Sequence, residues 1–373
     1  MHDSLRIAVL YGGRSVEHVV SCRSAATVCL ELHKAGHVVI PICISREGMW
    51  SVQPFDPGSP PACMPSRFDK TRMVSIVGGE GFLCAGKPLL VDLCFPVTHG
   101  SQGEDGMLQG LLELAHLAYV GCNPATSSEG MHKRIAKLIA NASEVPTLPC
   151  ICIDARETEE PANRMEDIYC RATNALGSRM IVKPEDGGSS VGITVLQVAE
   201  ERAFDRAVRH ALQFTDTVLV EPFVRNCLEL ECAVIRDGGS LLASLPGMVI
   251  DPLRSEGAFL TYAQKYLGTN CAYMHVPAPL DEDLLATVSR YARMMASAMG
   301  VEGYARVDFL FDPEERTIWF NEINTLPGMT TKSHFPVLAA SMGYDWPTLI
   351  RTLVKESLAR EAHRKRHVVS SVE

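Results

Sequence analysis

Four residues near the end of the chain have the types and spacing to do chemistry. Arg306 and Asp308 stand two apart in the run from Gly303 to Phe311, which reads as a strand. Side chains alternate with period two along a strand, so both share one face. Glu322 and Asn324 stand in the same relation at the end of the run beginning at Thr317, the expected hairpin partner across the turn Asp312-Pro-Glu-Glu-Arg316. If the strands pair, three oxygen-bearing side chains converge beside one guanidinium. Asp, Glu and Asn are the hard oxygen ligands that Mg²⁺ takes while keeping water and phosphate oxygens. The arginine would then face a transferred phosphoryl group or a developing oxyanion. A surface charge network across a hairpin has the same spacing, and spacing alone favours that plainer reading.

A second candidate is Gly187-Gly-Ser-Ser-Val-Gly192, between a strand Met180-Ile-Val-Lys183 and another beginning at Ile193. Glycines let backbone N–H groups approach phosphate closely. Lys183 ahead of the loop and Lys133 in an earlier helix could neutralise phosphates, although an ordinary mobile hairpin accounts for the glycines equally well. The loop is not a Walker A motif, because Gly-Lys-Ser/Thr is absent. The turn Gly12-Gly13-Arg14-Ser15-Val16-Glu17-His18 lacks the G-x-G-x-x-G pattern, and no acid ends the second strand, which argues against a nicotinamide dinucleotide. Glu17 at a helix start either favours the helix dipole or holds a substrate ammonium. His99-Gly-Ser-Gln-Gly-Glu-Asp-Gly106 is a polar loop after a buried-type strand, where α/β proteins place ligands.

The elements that must position these residues fall into three parts, an α+β chain opening with an α/β domain. Strand Leu5 to Tyr11, helix Ser15 to Ala35 and strand His37 to Ile44 read as a βαβ unit. Residues 51–80 read as a loop-rich insertion, Leu89 to Val97 as a strand, and Met107 to Ala115 and residues 125–142 as helices. Glu200 to Leu212 is helical, Thr217 to Phe223 and Leu228 to Ile235 are strands, residues 324–336 are irregular, and helices finish the chain.

With 373 residues the chain exceeds one ordinary core. Its 46% hydrophobic and 21% charged residues suit a folded soluble protein, and the net charge of −9 argues against nucleic acid as a partner. The 13 cysteines include no CxxC pair and several sit in apolar runs, such as Cys43 and Cys94. They read as buried thiols in a reducing cytosol rather than zinc ligands. No signal peptide is visible and no apolar run approaches the roughly 18–20 residues that span a bilayer, so the expected location is cytoplasmic, away from the membrane. The basic stretch from Arg360 to His367 reads as a helix end.

These pieces follow one another in a known order. The chain resembles the D-alanine–D-alanine ligases from about residue 6 to about residue 355. The resemblance rests on Val-Leu-Tyr-Gly-Gly-Arg-Ser-Val-Glu-His, Phe-Pro-Val-Thr-His-Gly-Ser-Gln-Gly-Glu-Asp-Gly, Ile-Val-Lys-Pro-Glu-Asp-Gly-Gly-Ser-Ser-Val-Gly, Tyr-Ala-Gln-Lys-Tyr, Ala-Arg-Val-Asp-Phe and Asn-Glu-Ile-Asn-Thr-Leu-Pro-Gly-Met-Thr. It implies the ATP-grasp fold, with an N-terminal α/β domain over 1–122, a central domain over 123–222 and a C-terminal domain over 223–373. It also implies an enzyme that consumes ATP with two Mg²⁺ or Mn²⁺ ions and joins two D-alanines through an acyl phosphate, for peptidoglycan precursors. A homodimer is the implied assembly.

Residue by residue, the resemblance makes Asp308, Glu322 and Asn324 the metal ligands and Lys133 and Lys183 the phosphate lysines. Glu221 would lie near adenine, Glu229 would bind ribose, and Lys265 would contact the γ-phosphate. Glu17 would hold the first substrate's ammonium, with His99 nearby, and Ser189 and Tyr266 would bond Glu17 and close loops over the site. Ser333, with His334 beside it, would bind the second substrate's carboxylate, and the Gly328 N–H would assist Arg306 at the oxyanion. The Lys265-Tyr266 pair favours D-alanine as acceptor over D-lactate; D-serine is the nearer alternative. The chain departs from the family at Val19, for a usual Glu, at His132, for a usual Asp before the phosphate lysine, and at Thr331-Lys332 before Ser333.

Overall fold

The computed structural model of the protein describes residues 4–159, 163–198, 200–250 and 273–366. Its first strand, Arg6–Gly12 (β1), is apolar on both faces. Ile7, Val9 and Tyr11 enter one core, and Ala8 and Leu10 enter another. Such a strand belongs inside a parallel sheet. Helix His18–Lys34 (α1) covers one face, and Val38–Ile44 (β2) returns parallel to β1. Trp50–Val52 (β3) pairs antiparallel on the outer edge. At Gly12 φ is +92° and a Cβ would stand 2.3 Å from the Ile44 carbonyl oxygen, so the exit toward α1 requires glycine.

The stretch expected as a loop-rich insertion contributes to a small antiparallel sheet of Val74–Val77 (β4), Gly81–Cys84 (β5) and Lys87–Leu89 (β6), whose Val74 and Phe82 pack beneath Ala8 and Leu10. Strands this short carry too few residues for alternation to stand out. The single strand expected from Leu89 to Val97 is therefore split. Leu89 ends β6, and Leu93–Pro96 (β7) joins β1 in parallel. Asp92 sets the break, accepting the Arg6 N–H at 2.7 Å and pairing with its guanidinium at 2.6 Å. Met107–Leu114 (α2) follows. The one helix expected over 125–142 is two, Pro124–Met131 (α3) and Lys133–Ala142 (α4), because His132 between them is extended, with φ −86° and ψ 96°.

The second sheet comprises Ile151–Asp154 (β8), Met180–Pro184 (β9), Thr194–Leu196 (β10) and Thr217–Pro222 (β11), antiparallel in the order β10-β9-β11-β8. Helices Asn163–Leu176 (α5) and Glu201–Ala211 (α6) cover one face, with Ile168, Phe204 and Val208 against Val182 and Val218. By alternation, Lys183, Glu221 and Cys152 project from the other face.

The third sheet comprises Leu228–Asp237 (β12), Ser240–Ala243 (β13), Gly247–Ile250 (β14), Tyr273–His275 (β15), Tyr304–Asp312 (β16) and Thr317–Asn324 (β17). Their order is β15-β14-β12-β16-β17, with β13 against β12. Helix Glu282–Ala298 (α7) fills one face together with α4, through Ala136, Ala140, Val288 and Met295 against Leu230 and Val307. Glu229, Glu231, Arg306 and Asp308 alternate onto the opposite face. His334–Ser341 (α8) and Trp346–Arg364 (α9) end the described chain, with His363 and Arg364 in the last turn where the basic stretch was expected. Phe335, Leu338, Ile350 and Tyr304 share one core with Ile7, Val9 and Leu32, so the first and third sheets are welded together, whereas the second has its own core.

Candidate active site

The hairpin of β16 and β17 pairs Arg306 with Asn324 and Asp308 with Glu322, as the spacing required. A bulge after Asp308 leaves Asn321 unmatched and holds Glu322 and Asn324 on the polar face. On the other side β12 pairs Glu231 with Asp308, so Glu231, Asp308 and Glu322 form a row of three carboxylates across three strands. Arg306 is the cation within this row. It bonds both oxygens of Asp308, at 2.7 and 2.6 Å, and reaches Glu231 at 3.0 Å. Asn324 donates to Asp308 at 3.0 Å.

Burial pushes the Asp308 carboxyl up to about 7; Arg306 pulls it down, and Glu231 and Glu322 push it up again. Burial opposes the charge on Arg306, but the acids outweigh it and hold the guanidinium well above its usual range. Three acids set against Arg306, with Lys133 3.9 Å from Glu322, leave the row rich in acid. That oxygen-rich donor set suits a hard divalent cation.

The second sheet presents the opposite sign. Glu221, 2% exposed, is shared by Lys137 at 2.5 Å and Lys183 at 2.7 Å. Burial raises the Glu221 carboxyl, yet the two lysines outweigh it and keep it below its usual range. One carboxylate cannot compensate both ammoniums, and burial holds Lys137 low. Lys133 starts α4, is buried with its pKa also lowered, and stands 3.9 Å from Glu322. Lys183 also reaches Asn321 at 3.4 Å, bridging the two sheets.

Between these faces lies a cavity of about 310 Å³ lined by Lys133, Lys183, Glu221, Glu229, Asp308 and Glu322 among others. The glycine–serine loop closes one side of it. Ser189 and Ser190 both hold left-handed backbone, with φ of 50° and 60°, a strained pair for residues with a Cβ.

The Ser189 hydroxyl donates to the buried carboxylate of Glu17, which joins the loop to the start of α1. His99 is buried nearby, bonded through Nδ1 to the Leu326 carbonyl at 3.0 Å and through Nε2 to Ser24 Oγ at 3.3 Å. Burial lowers its pKa, against the pull of Glu17, so the ring favours the neutral form. Glu104 accepts the Gly100 N–H at 2.7 Å, and burial, reinforced by Glu17, pushes its carboxyl up to about 8.

A second cavity of about 640 Å³ shares Glu229, Glu231 and Arg306 with the first as lining, and is lined by Gly328, Ser333 and His334 as well as by α1. Ser333 precedes α8, its oxygen bonded to Thr330 N at 3.0 Å. His334 Nδ1 bonds Glu231 at 2.9 Å.

Of the fourteen expected site residues within the described chain, eleven line the two cavities; Asn324 stands behind Asp308, Glu17 behind Ser189, and His99 lines neither cavity, while Lys265 and Tyr266 lie outside the described residues. Sequence reasoning missed Glu231, Lys137, Glu104 and Glu185. Lys137 is four residues after Lys133, the helical spacing that puts both on one face, and that was the one available signal.

Residues 6–122 match the family model described as D-ala D-ala ligase N-terminus, and residues 139–355 match the one described as D-ala D-ala ligase C-terminus. A D-alanine--D-alanine ligase A of Mesorhizobium japonicum is 37% identical over 376 residues, spanning 98% of this chain and 100% of the relative. Among solved structures, D-alanyl-alanine synthetase A of Vibrio cholerae superposes with a TM-score of 0.80 at 28% identity, covering 96% of this chain and 100% of its own. The VanG D-Ala:D-Ser ligase of Enterococcus faecalis superposes with a TM-score of 0.78 at 27% identity, covering 95% and 100%. A chain matched along nearly its whole length, with an acid row facing a lysine cluster, belongs to the D-alanine–D-alanine ligase family.

Proposed function

We propose that this protein joins two D-alanine molecules at the expense of ATP, yielding ADP, phosphate and D-alanyl-D-alanine for peptidoglycan precursors. The observation that carries the reading is that Lys133 and Lys183 line one cavity together with Asp308 and Glu322, with Asn324 bonded to Asp308 behind them. The lysines bind the nucleotide's phosphates, while Glu221 and Glu229 line the same cavity toward adenine and ribose. Asp308, Glu322 and Asn324 would hold Mg²⁺ or Mn²⁺, two ions by the family's pattern, which when bound screens the charge between phosphate and attacking carboxylate.

Glu17 holds the first D-alanine's ammonium, and His99 stands beside that substrate. Its carboxylate attacks the γ-phosphorus; the bond to the ADP oxygen breaks, and an acyl phosphate forms. The amine of the second D-alanine, its carboxylate at Ser333 on the α8 N-terminus, then attacks the carbonyl. Arg306 and the Gly328 N–H face the oxyanion, and its collapse expels phosphate. An acyl phosphate hydrolyses readily, so water must be excluded. The Ser189–Glu17 bond supports closure of the glycine–serine loop over that site.

The three-domain division 1–122, 123–222 and 223–373 belongs to this reading, with α4 packing into the third sheet's core. No described helix is long and apolar enough to cross a membrane, and ATP as substrate supports a cytoplasmic location. A homodimer has one support: Met107, Leu111 and Leu114 stand exposed on one face of α2.

The deciding assay is phosphate release from Mg-ATP with D-alanine, alone and with D-serine or D-lactate, with product masses recorded. D-Ala-D-Ala as the product is expected. No release from protein that still binds ATP would overturn the reading, and a mixed dipeptide outcompeting it would move the acceptor to D-serine.

A further inference from the structure

Helix α4 starts without a cap of its own. The His132 side chain makes no bond to the helix's free N–H groups, whereas Asn123, Asp281 and Asp345 each cap the helix they precede. The missing acceptor comes from another sheet. Glu185, buried just beyond β9, accepts the Arg134 N–H on Oε1 at 3.1 Å and bonds His132 Nδ1 through Oε2 at 2.7 Å. Its carbonyl oxygen accepts the Lys133 N–H at 3.2 Å, and its own N–H donates to the Thr217 carbonyl at 3.0 Å. The Lys133 ammonium donates to the carbonyl of Gly187, two residues further on. One residue thus grips the positions before, at and after Lys133, and leads directly into the glycine–serine loop.

We infer that the Glu185–His132 pair is a positioning device for the nucleotide's phosphates. It registers Lys133, on a helix rooted in the third sheet's core, against the loop of the second sheet. The inference rests on the proposed reading of Lys133 as a phosphate lysine. Neither pair member is among the residues lining the nucleotide cavity, so the pair acts through Lys133 and not on the ligand. A lysine that begins a helix is only as well placed as that helix end. A carboxylate forked between a ring nitrogen and a backbone N–H fixes both distance and direction, because charge-assisted hydrogen bonds are short and directional. Displacing a binding group by an ångström is enough to cost rate and affinity.

The test compares His132→Ala, His132→Asn, Glu185→Ala, the His132→Ala/Glu185→Ala double variant and Lys133→Ala in the full chain, with ATP and D-alanine titrated separately. His132→Ala, whose ring is partly exposed, is expected to raise KM for ATP about tenfold, the scale of one hydrogen bond to a charged group. KM for D-alanine and Tm are expected to stay near those of the parent. His132→Asn keeps a donor and is expected to restore most of the loss. The double variant is expected to be no worse than Glu185→Ala, because the two share one bond. An unchanged KM for ATP in His132→Ala, or equal movement of both KM values, overturns the inference even if Glu185→Ala fails to fold. If Lys133→Ala raises KM for ATP while the pair variants do not, only this inference fails. If Lys133→Ala leaves it unchanged, the reading of Lys133 fails as well.

Discussion

The two faces that meet over the nucleotide cavity are unbalanced in opposite senses. On the second sheet one carboxylate, Glu221, serves two ammoniums, Lys183 of its own sheet and Lys137 of α4. On the third, Arg306 serves Glu231 and Asp308 in a row that Glu322 completes, with Lys133 3.9 Å from Glu322 as the one further cation. A buried ion cluster that balances itself has little left to offer a ligand. These two do not balance, and under the proposed function one ligand completes both: phosphate answers the surplus lysine charge, and the cation that phosphate carries answers the surplus acid.

The largest effect should come from the acid side. Arg306→Ala is expected to cut turnover by roughly a thousandfold, and Glu322→Ala to abolish it, with far-UV circular dichroism unchanged. Retained phosphate release in both variants would break the comparison, leaving the row as an ordinary charge network.

Stability should separate the two faces next. Glu221→Ala leaves two buried ammoniums without their carboxylate and is expected to destabilise the fold by about 3–5 kcal/mol. Glu322→Ala, at the more open end of a row with too many acids, is expected to change stability by less than about 1 kcal/mol. Denaturant midpoints decide. Equal losses in both would mean that the acid row is as well compensated as the lysine cluster.

The smallest effect reads the lysine side alone. Hydrogen bonding to Cys152 draws the Cys150 thiol down to about 7, and Lys137 adds to the pull against burial. Iodoacetamide should therefore modify Cys150 roughly tenfold faster at pH 8 than at pH 6, and Lys137→Met should shift that rise to higher pH. A rise that stays at the same pH in Lys137→Met would show that the lysine's field does not reach Cys150. The core thiols Cys29, Cys94 and Cys232, held high by burial, serve as the unreactive reference.

What was legible in the sequence follows from how far apart its partners lie. Arg306, Asp308, Glu322 and Asn324 could be assembled because a hairpin joins neighbours and alternation is regular. Glu231 could not, since nothing local says that β12 lies against β16 from more than seventy residues away. The break between α3 and α4 was hidden because His132 neither forbids nor demands a helix; the bond to Glu185 that accompanies its extended backbone is tertiary. The small sheet of β4, β5 and β6 escaped because its strands are brief and its turns rich in glycine. Of the cysteines, Cys43 and Cys94 are buried as their apolar neighbours suggested, while Cys63 and Cys170 are exposed.

The shared core of the first and third sheets has a consequence for how the protein comes apart. Ile7, Leu32, Tyr304 and Phe335 must be exposed together, whereas Phe204 and Val218 can part from the solvent-free interior without disturbing them. The second sheet, with the smaller core of the two, is then expected to open as a separate cooperative unit at the lower free energy. Amide protons of Val182 and Val220 are therefore expected to exchange with deuterated solvent before those of Val9 and Val307. Filling the cavity ties the slow and the fast unit together, so a bound nucleotide narrows the spread in exchange rates across the molecule as well as raising its mean protection.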